Sequence, residues 1–197
     1  DRQLIFREDE DYQRFLGWLK ESAREFKVSV HAYALMPNHL HLLASPTTED
    51  GLARMMQRVG RYYVPWFNQK YERLGGLFRG RFKTSLIDSE RYFMMCSRYI
   101  EFNPVRNGVT SDPADYRWSS YAHHAGVRQA VLVGYDEEPE VEPREQPEAC
   151  ANAGAKCDAA LLDVVRQVVD QGAVLVQEDG FHDLLPGAFP HRRKGVF

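Results

Sequence analysis

Two histidines separated by one leucine lie in the run Met36-Pro37-Asn38-His39-Leu40-His41-Leu42-Leu43. On an extended strand successive side chains point to opposite faces, so His39 and His41 share one face and Leu40 turns to the other. Two neutral imidazoles side by side are half of a metal site, since imidazole nitrogen suits first-row transition metals. A second stretch with chemical potential is Arg98-Tyr99-Ile100-Glu101-Phe102-Asn103-Pro104-Val105-Arg106. Tyr99 and Asn103 are four apart and share a helix face, one turn from each other. A tyrosine hydroxyl becomes a covalent nucleophile when its proton is removed or its target is strongly polarised. An asparagine carbonyl oxygen can ligate a hard divalent cation such as Mg²⁺ or Mn²⁺. Spacing alone leaves a plainer alternative open, with Tyr99 and Phe102 as core aromatics and Asn103 at a helix end. His31, His123, His124 and His191 have no comparable setting and read as surface or structural residues.

The elements that must position these groups follow from periodicity. Residues 1–6 read as the tail of a strand or an entry loop. Tyr12, Phe15, Leu16, Leu19, Ala23 and Phe26 recur at three- and four-residue spacing, which predicts an amphipathic helix over residues 8–26. Acids at 8–11 suit the positive end of its dipole. Residues 28–35 and 39–45 predict two strands joined at Pro37-Asn38, a hairpin with the histidines just past its turn. A second helix is expected over residues 50–73, with Pro65 kinking or interrupting it. A strand that is basic at its start is expected over residues 78–87. A third helix opens at Ser89-Glu90-Arg91 and runs to about Asn103, where Pro104 ends it. Residues 111–126 read as irregular. The order is an α+β pattern of the ferredoxin-like or RNA-recognition type, one antiparallel sheet with its helices mainly on one face.

The 197 residues suit one domain with an appendage, divided as a catalytic-type domain over 1–126, an acidic flexible linker over 127–157, and a small helical extension with a basic tail over 158–197. Three cysteines fit neither a disulfide framework nor a zinc ribbon. Cys96 reads as core, and Cys150 and Cys157 read as reduced thiols of a cytoplasmic protein. No apolar run is long enough for a membrane span, and no signal peptide is visible. The formal net charge of −3 conceals an asymmetry. Residues 51–110 hold 11 Lys/Arg against 4 Asp/Glu, a net of +7, whereas residues 134–150 hold 7 acids against Arg144 alone, a net of −6. An anionic ligand feels the local field rather than the mean.

The string Ala34-Leu35-Met36-Pro37-Asn38-His39-Leu40-His41-Leu42-Leu43 resembles the His-hydrophobic-His motif of the single-tyrosine transposases. The stretches Phe78-Arg79-Gly80-Arg81-Phe82-Lys83-Thr84, Ser89-Glu90-Arg91-Tyr92 and Tyr99 to Val109 are similar to the REP-associated branch of that family. Asp115-Tyr116-Arg117-Trp118-Ser119-Ser120-Tyr121 continues the likeness, which covers residues 1–126 or so. The resemblance implies cutting and rejoining of single-stranded DNA beside a hairpin. Tyr99 would attack the scissile phosphate to give a 5′-phosphotyrosine and a free 3′-OH. His39 and His41 would hold one divalent metal, Mg²⁺ or Mn²⁺, with nitrogen ligands favouring Mn²⁺. Asn103 would complete the protein ligands, where relatives with Gln reach further. Metal uptake needs neutral imidazoles, so binding should fail below about pH 6.

Arg79, Arg81, Lys83 and Arg106 could then neutralise DNA phosphates, and Tyr62, Tyr63, Trp66 and Trp118 could stack on unpaired bases. Relatives include monomers and homodimers. The family also implies a further strand, central in the sheet, most of which is expected ahead of Asp1. Two other readings stand beside the transposase: a hairpin-DNA-binding regulator without catalysis, and a hydrolytic metallophosphoesterase in which the histidines activate water.

Overall fold

The computed structural model describes residues 3–78, 82–127, 132 and 172–178. Helix α1 (Asp9–Glu25) forms where the sequence periodicity places it, and its buried stripe is Tyr12, Phe15, Leu16, Leu19 and Ala23. Asp11 fixes its start: the carboxylate is fully buried and accepts from the backbone N–H of Arg7 at 2.7 Å and of Glu8 at 3.1 Å. Strands β1 (Val28–Met36) and β2 (His39–Pro46) follow as an antiparallel hairpin. Its two-residue turn is Pro37-Asn38, and the Pro37 carbonyl accepts from the N–H of Ile5 at 2.8 Å and of Phe6 at 3.0 Å. The entry segment therefore ties down the turn that presents the histidines.

Helix α2 (Gly51–Lys70) continues through Pro65 without interruption. A proline removes one helix hydrogen bond, but Tyr63 and Phe67 on either side of it are fully buried against the core. Burying a large apolar side chain is worth about 1.5–3 kcal/mol, and two such side chains outweigh the loss. Strand β3 (Lys83–Leu86) is shorter than the 78–87 expected. Helix α3 (Glu90–Glu101) begins where the Ser89 hydroxyl accepts from the Tyr92 N–H at 3.3 Å. Its apolar stripe is Phe93, Cys96 and Ile100. Helix α3 stops at Glu101, short of the expected Asn103, and Pro104 does not exclude helix before it: a new turn, α4 (Asn103–Arg106), carries the proline in its first turn, where its missing N–H costs nothing. Residues 113–115 form a 3₁₀ turn, and α5 (Tyr121–His124) is a single helical turn.

The last described strand is β4 (Val174–Glu178), and it is an interior strand. The sheet order is β1-β2-β4-β3, antiparallel throughout. The sequence reading assigns residues 158–197 to a helical extension, yet 174–178 of that stretch lie inside the sheet; the helix read at 158–171 lies outside the described residues, as does the linker read at 127–157 apart from residues 127 and 132, of which Leu132 is buried in the core. A short apolar run such as Val174-Leu175-Val176 cannot be told from a helix segment by periodicity, and pairing decides it. Val176 is fully buried.

The α+β class holds. Helices α1 and α2 cover one sheet face with a large apolar core that includes Phe15, Leu19, Tyr33, Leu35, Leu40, Leu42, Met55, Tyr63 and Val176. Helix α3 lies across the other face on a smaller cluster of Ala32, Ala34, Leu43, Ile87, Phe93, Cys96, Ile100 and Ala173. Among the described residues no helix is long and apolar enough to cross a membrane.

Candidate active site

Strand alternation determines which sheet face each histidine meets. Leu40 and Leu42 fill the core under α1 and α2. His39 and His41 therefore face α3, with ring centroids 4.9 Å apart. His41 is buried at 6% exposure, and His39 is half-buried at the mouth of the hairpin. Burial pushes the His41 imidazole down to about 3, and neighbouring His39 adds to the shift. A ring held neutral in this way is a ready ligand. Its Nδ1 is buried without a hydrogen-bond partner, a costly state that usually has a reason.

The other ring is oriented from within the motif. Asn38 Oδ1 lies 2.7 Å from His39 Nδ1. An amide oxygen only accepts, so in the neutral ring Nδ1 carries the hydrogen and Nε2 keeps its lone pair. Such a hydrogen bond to the non-ligating nitrogen is what typically fixes a metal-binding histidine.

Tyr99 comes to the same place from α3. Its half-buried ring stands edge-on to His41, with centroids 5.8 Å apart. Residue 106 on α4 folds back over it, and the Arg106 guanidinium carbon is 4.6 Å from the Tyr99 ring centroid. A cation over the ring face is attracted to its electrons, and it adds positive charge beside any phosphate brought to this place. Residues far apart in sequence are thus brought together: His39 and His41 from β2, Tyr99 from α3 and Arg106 from α4.

The remaining candidates fall out as follows. Asn103 is buried at 4% exposure in the turn between α3 and α4, and its Oδ1 accepts from Asn107 Nδ2 at 3.1 Å. One of its two lone pairs is thereby engaged. Lys83 is exposed at the start of β3, and Arg79 and Arg81 lie outside the described residues. Of the aromatics read as base-stacking candidates, Tyr63 and Trp118 belong to the core instead. Tyr63 is fully buried, and Trp118 stacks on Tyr12 at 4.6 Å. Trp66 is half-buried, packed against the same core, and Tyr62 is exposed, stacked on Trp18. His31 pairs with Ser45, its Nε2 3.0 Å from the serine oxygen, where the β1 register steps. Cys96 is core, and burial pushes its thiol up to about 11, which leaves it protonated and unreactive.

Among the described residues no group of three or more His, Cys, Asp or Glu is placed to hold a metal. A divalent ion here would rest on two imidazoles and require oxygen donors from an amide, a substrate or water. The orphan nitrogen of His41 and the oriented His39 ring fit such an ion. Sequence reasoning missed Glu101, Ser120 and Asn38. Asn38 carried a signal, since it sits in the turn directly before the first histidine, whereas Glu101 and Ser120 meet only in the fold.

The family model described as "Transposase IS200 like" matches residues 1–103. A Haemophilus influenzae protein assigned as a REP-associated tyrosine transposase is 26% identical over 133 residues, which is 61% of this chain and 74% of that protein. No solved structure matches the chain.

Proposed function

Because the chain belongs to the IS200-like transposase family, we propose that it is a single-stranded DNA strand transferase that cuts and rejoins DNA beside hairpins through a 5′-phosphotyrosine. The observation that supports this reading is the approach of the Tyr99 ring to the buried His41 beside His39, with Arg106 over the tyrosine. Tyr99 is the nucleophile. Its oxygen attacks phosphorus, the bond from phosphorus to the 3′ oxygen breaks, and the phenolic proton is released as the 3′ oxygen takes one up. The phosphodiester energy stays in the tyrosyl ester, so a later 3′-OH can reverse the step without water or an external energy source.

His39 and His41 would hold the divalent ion, Mg²⁺ or Mn²⁺, with Asn103 as a further donor through its second lone pair. A bound ion would offset negative charge on the non-bridging oxygens of the scissile phosphate. Arg106 supplies a protein cation to the same phosphate, as pre-placed charge does in other transfer reactions. Lys83, with Arg79 and Arg81, neutralises phosphates of the flanking DNA.

The test is a labelled hairpin oligonucleotide from the chain's own genomic flanks, incubated with protein and Mn²⁺. Mass spectrometry should find a nucleotide on the Tyr99 peptide. Tyr99→Phe should bind the hairpin and form no adduct, and an adduct on that variant would overturn the assignment. A non-catalytic hairpin-binding protein is the second reading, favoured by the engagement of Asn103 Oδ1 with Asn107. Hairpin binding by the unaltered protein without any adduct selects it.

A further inference from the structure

Segment 116–124 lies outside the site above but is built against it. Residues 116–120 run along the β1 edge opposite β2. The Tyr116 hydroxyl donates to the Leu35 carbonyl at 2.5 Å, and the Leu35 N–H donates to the Trp118 carbonyl at 2.9 Å. Ala34 and Ser119 form an antiparallel bridge, and the Ser120 N–H donates to the Tyr33 carbonyl at 3.0 Å. At the end of this strap the Ser120 hydroxyl accepts from the Tyr33 N–H at 3.1 Å and donates to Glu101 Oε1 at 2.6 Å. His124 Nδ1 lies 2.5 Å from the same carboxylate oxygen. Glu101 is the last residue of α3, two beyond Tyr99, and is 7% exposed.

We infer that Glu101, gripped by Ser120 and His124, is a positioning residue that sets the rotation and height of α3 and so the place of Tyr99 over the histidines. This rests on the function proposed above. Three observations lead to it. First, three of the residues clustered with α3 at the sheet are alanines, Ala32, Ala34 and Ala173. Small side chains offer few ridges to index a helix, and apolar contact is non-directional. A directional polar tie supplies what that packing lacks. Second, the tie ends on the strand that faces the metal pair, because Ala34 is the register partner of His41. A continuous path runs from Tyr99 along α3 to Glu101, through Ser120 to the Tyr33 backbone, and from the next residue, Ala34, across to His41.

Third, a buried carboxylate is a poor source of stability, since an apolar residue of similar size commonly does as well. What it adds is a defined geometry. Residues two apart on a helix lie about 200° apart around the axis, so a rotation released at Glu101 carries Tyr99 with it. A misplacement of about 1 Å at a reacting atom costs on the order of 10²-fold in rate.

The test uses the full chain and the same hairpin oligonucleotide with Mn²⁺. Glu101→Ala should slow adduct formation at saturating DNA by about 10²-fold, while affinity for the hairpin stays within about twofold, well under the ~1.4 kcal/mol that a tenfold change represents. Glu101→Gln should recover most of the rate, because its amide oxygen still accepts from Ser120. Independently of activity, 3-fluorotyrosine at position 99 should give one sharp ¹⁹F resonance in the metal-free protein and broadened or multiple resonances in Glu101→Ala. Should Glu101→Ala fail to fold, His124→Ala removes one of the two donors from the exposed side and should slow the adduct by about tenfold at unchanged hairpin affinity. A wild-type rate in the folded variant overturns the inference, as does loss of rate and hairpin affinity in proportion to the folded fraction. Failure of the unaltered protein to form any adduct overturns the proposed function instead.

Discussion

At the scale of single residues, burial gives His41 its character. Its imidazole is lowered from 6.5 to about 3, first by burial and then by His39. The folded form therefore disfavours the proton that the unfolded chain accepts. Stability from this group is complete above about pH 6.5 and is lost progressively as the pH falls towards 3. In a chelator-treated sample, urea midpoints of the unaltered protein should drop over that window, and those of His41→Leu should drop less steeply. Equal slopes for the two proteins would contradict this. The same fact sharpens the expected loss of metal binding in acid. His41 stays neutral well below about pH 6, so its protonation does not set that limit.

At the scale of elements, α1 and α2 are locked at one end by a buried charge. Asp11 accepts from two backbone N–H groups, from Lys70 Nζ at 2.9 Å and from the Tyr71 hydroxyl at 2.9 Å. Burial alone would raise its carboxyl, but the Lys70 contact and the backbone donors outweigh burial and the net shift is downward. The network joins the first turn of α1 to the last turn of α2, with Glu8 and Glu10 sharing Lys70. Removing a buried partner leaves the others uncompensated, so Asp11→Ala should lower unfolding free energy by about 3 kcal/mol in urea titrations. Exposed pairs such as Arg54 with Asp50 are a useful contrast. Asp50→Ala should change stability by less than about 1 kcal/mol.

At the scale of the whole molecule, β4 makes the sheet continuous. It pairs with β2 over residues 40–44 and with β3 over residues 83–86, so β3 reaches the histidine strand only through it. Its Val176 is fully buried in the core under α1 and α2. A charge there has no partner and no water. Val176→Asp should abolish cooperative thermal unfolding and expose residues 82–88 to limited proteolysis. Leu74→Asp, at a position 96% exposed, should melt like the unaltered protein. A sharp transition in Val176→Asp would show that β4 is dispensable to the sheet.

Much of this was written locally. The paired faces of His39 and His41, the stripe of α1 and the hairpin turn each follow from side-chain period or from a proline, which act within a few residues. The nucleophile role of Tyr99 was not local in that sense: spacing left a core role open, and the likeness to the single-tyrosine transposases supplied the expectation. Pairing across long separations was not written there. Nothing in Val174-Leu175-Val176 names β2 and β3 as its neighbours, nothing in Trp118 distinguishes a core aromatic from a stacking platform, and nothing in Glu101 points to Ser120 and His124. Those assignments depend on which surfaces are buried together, and burial is a property of the folded chain. The sequence by itself determined the chemical groups and their local geometry. Only the tertiary structure decided that Tyr99 meets His41, because apolar packing on both faces of one sheet brings α3 over β2.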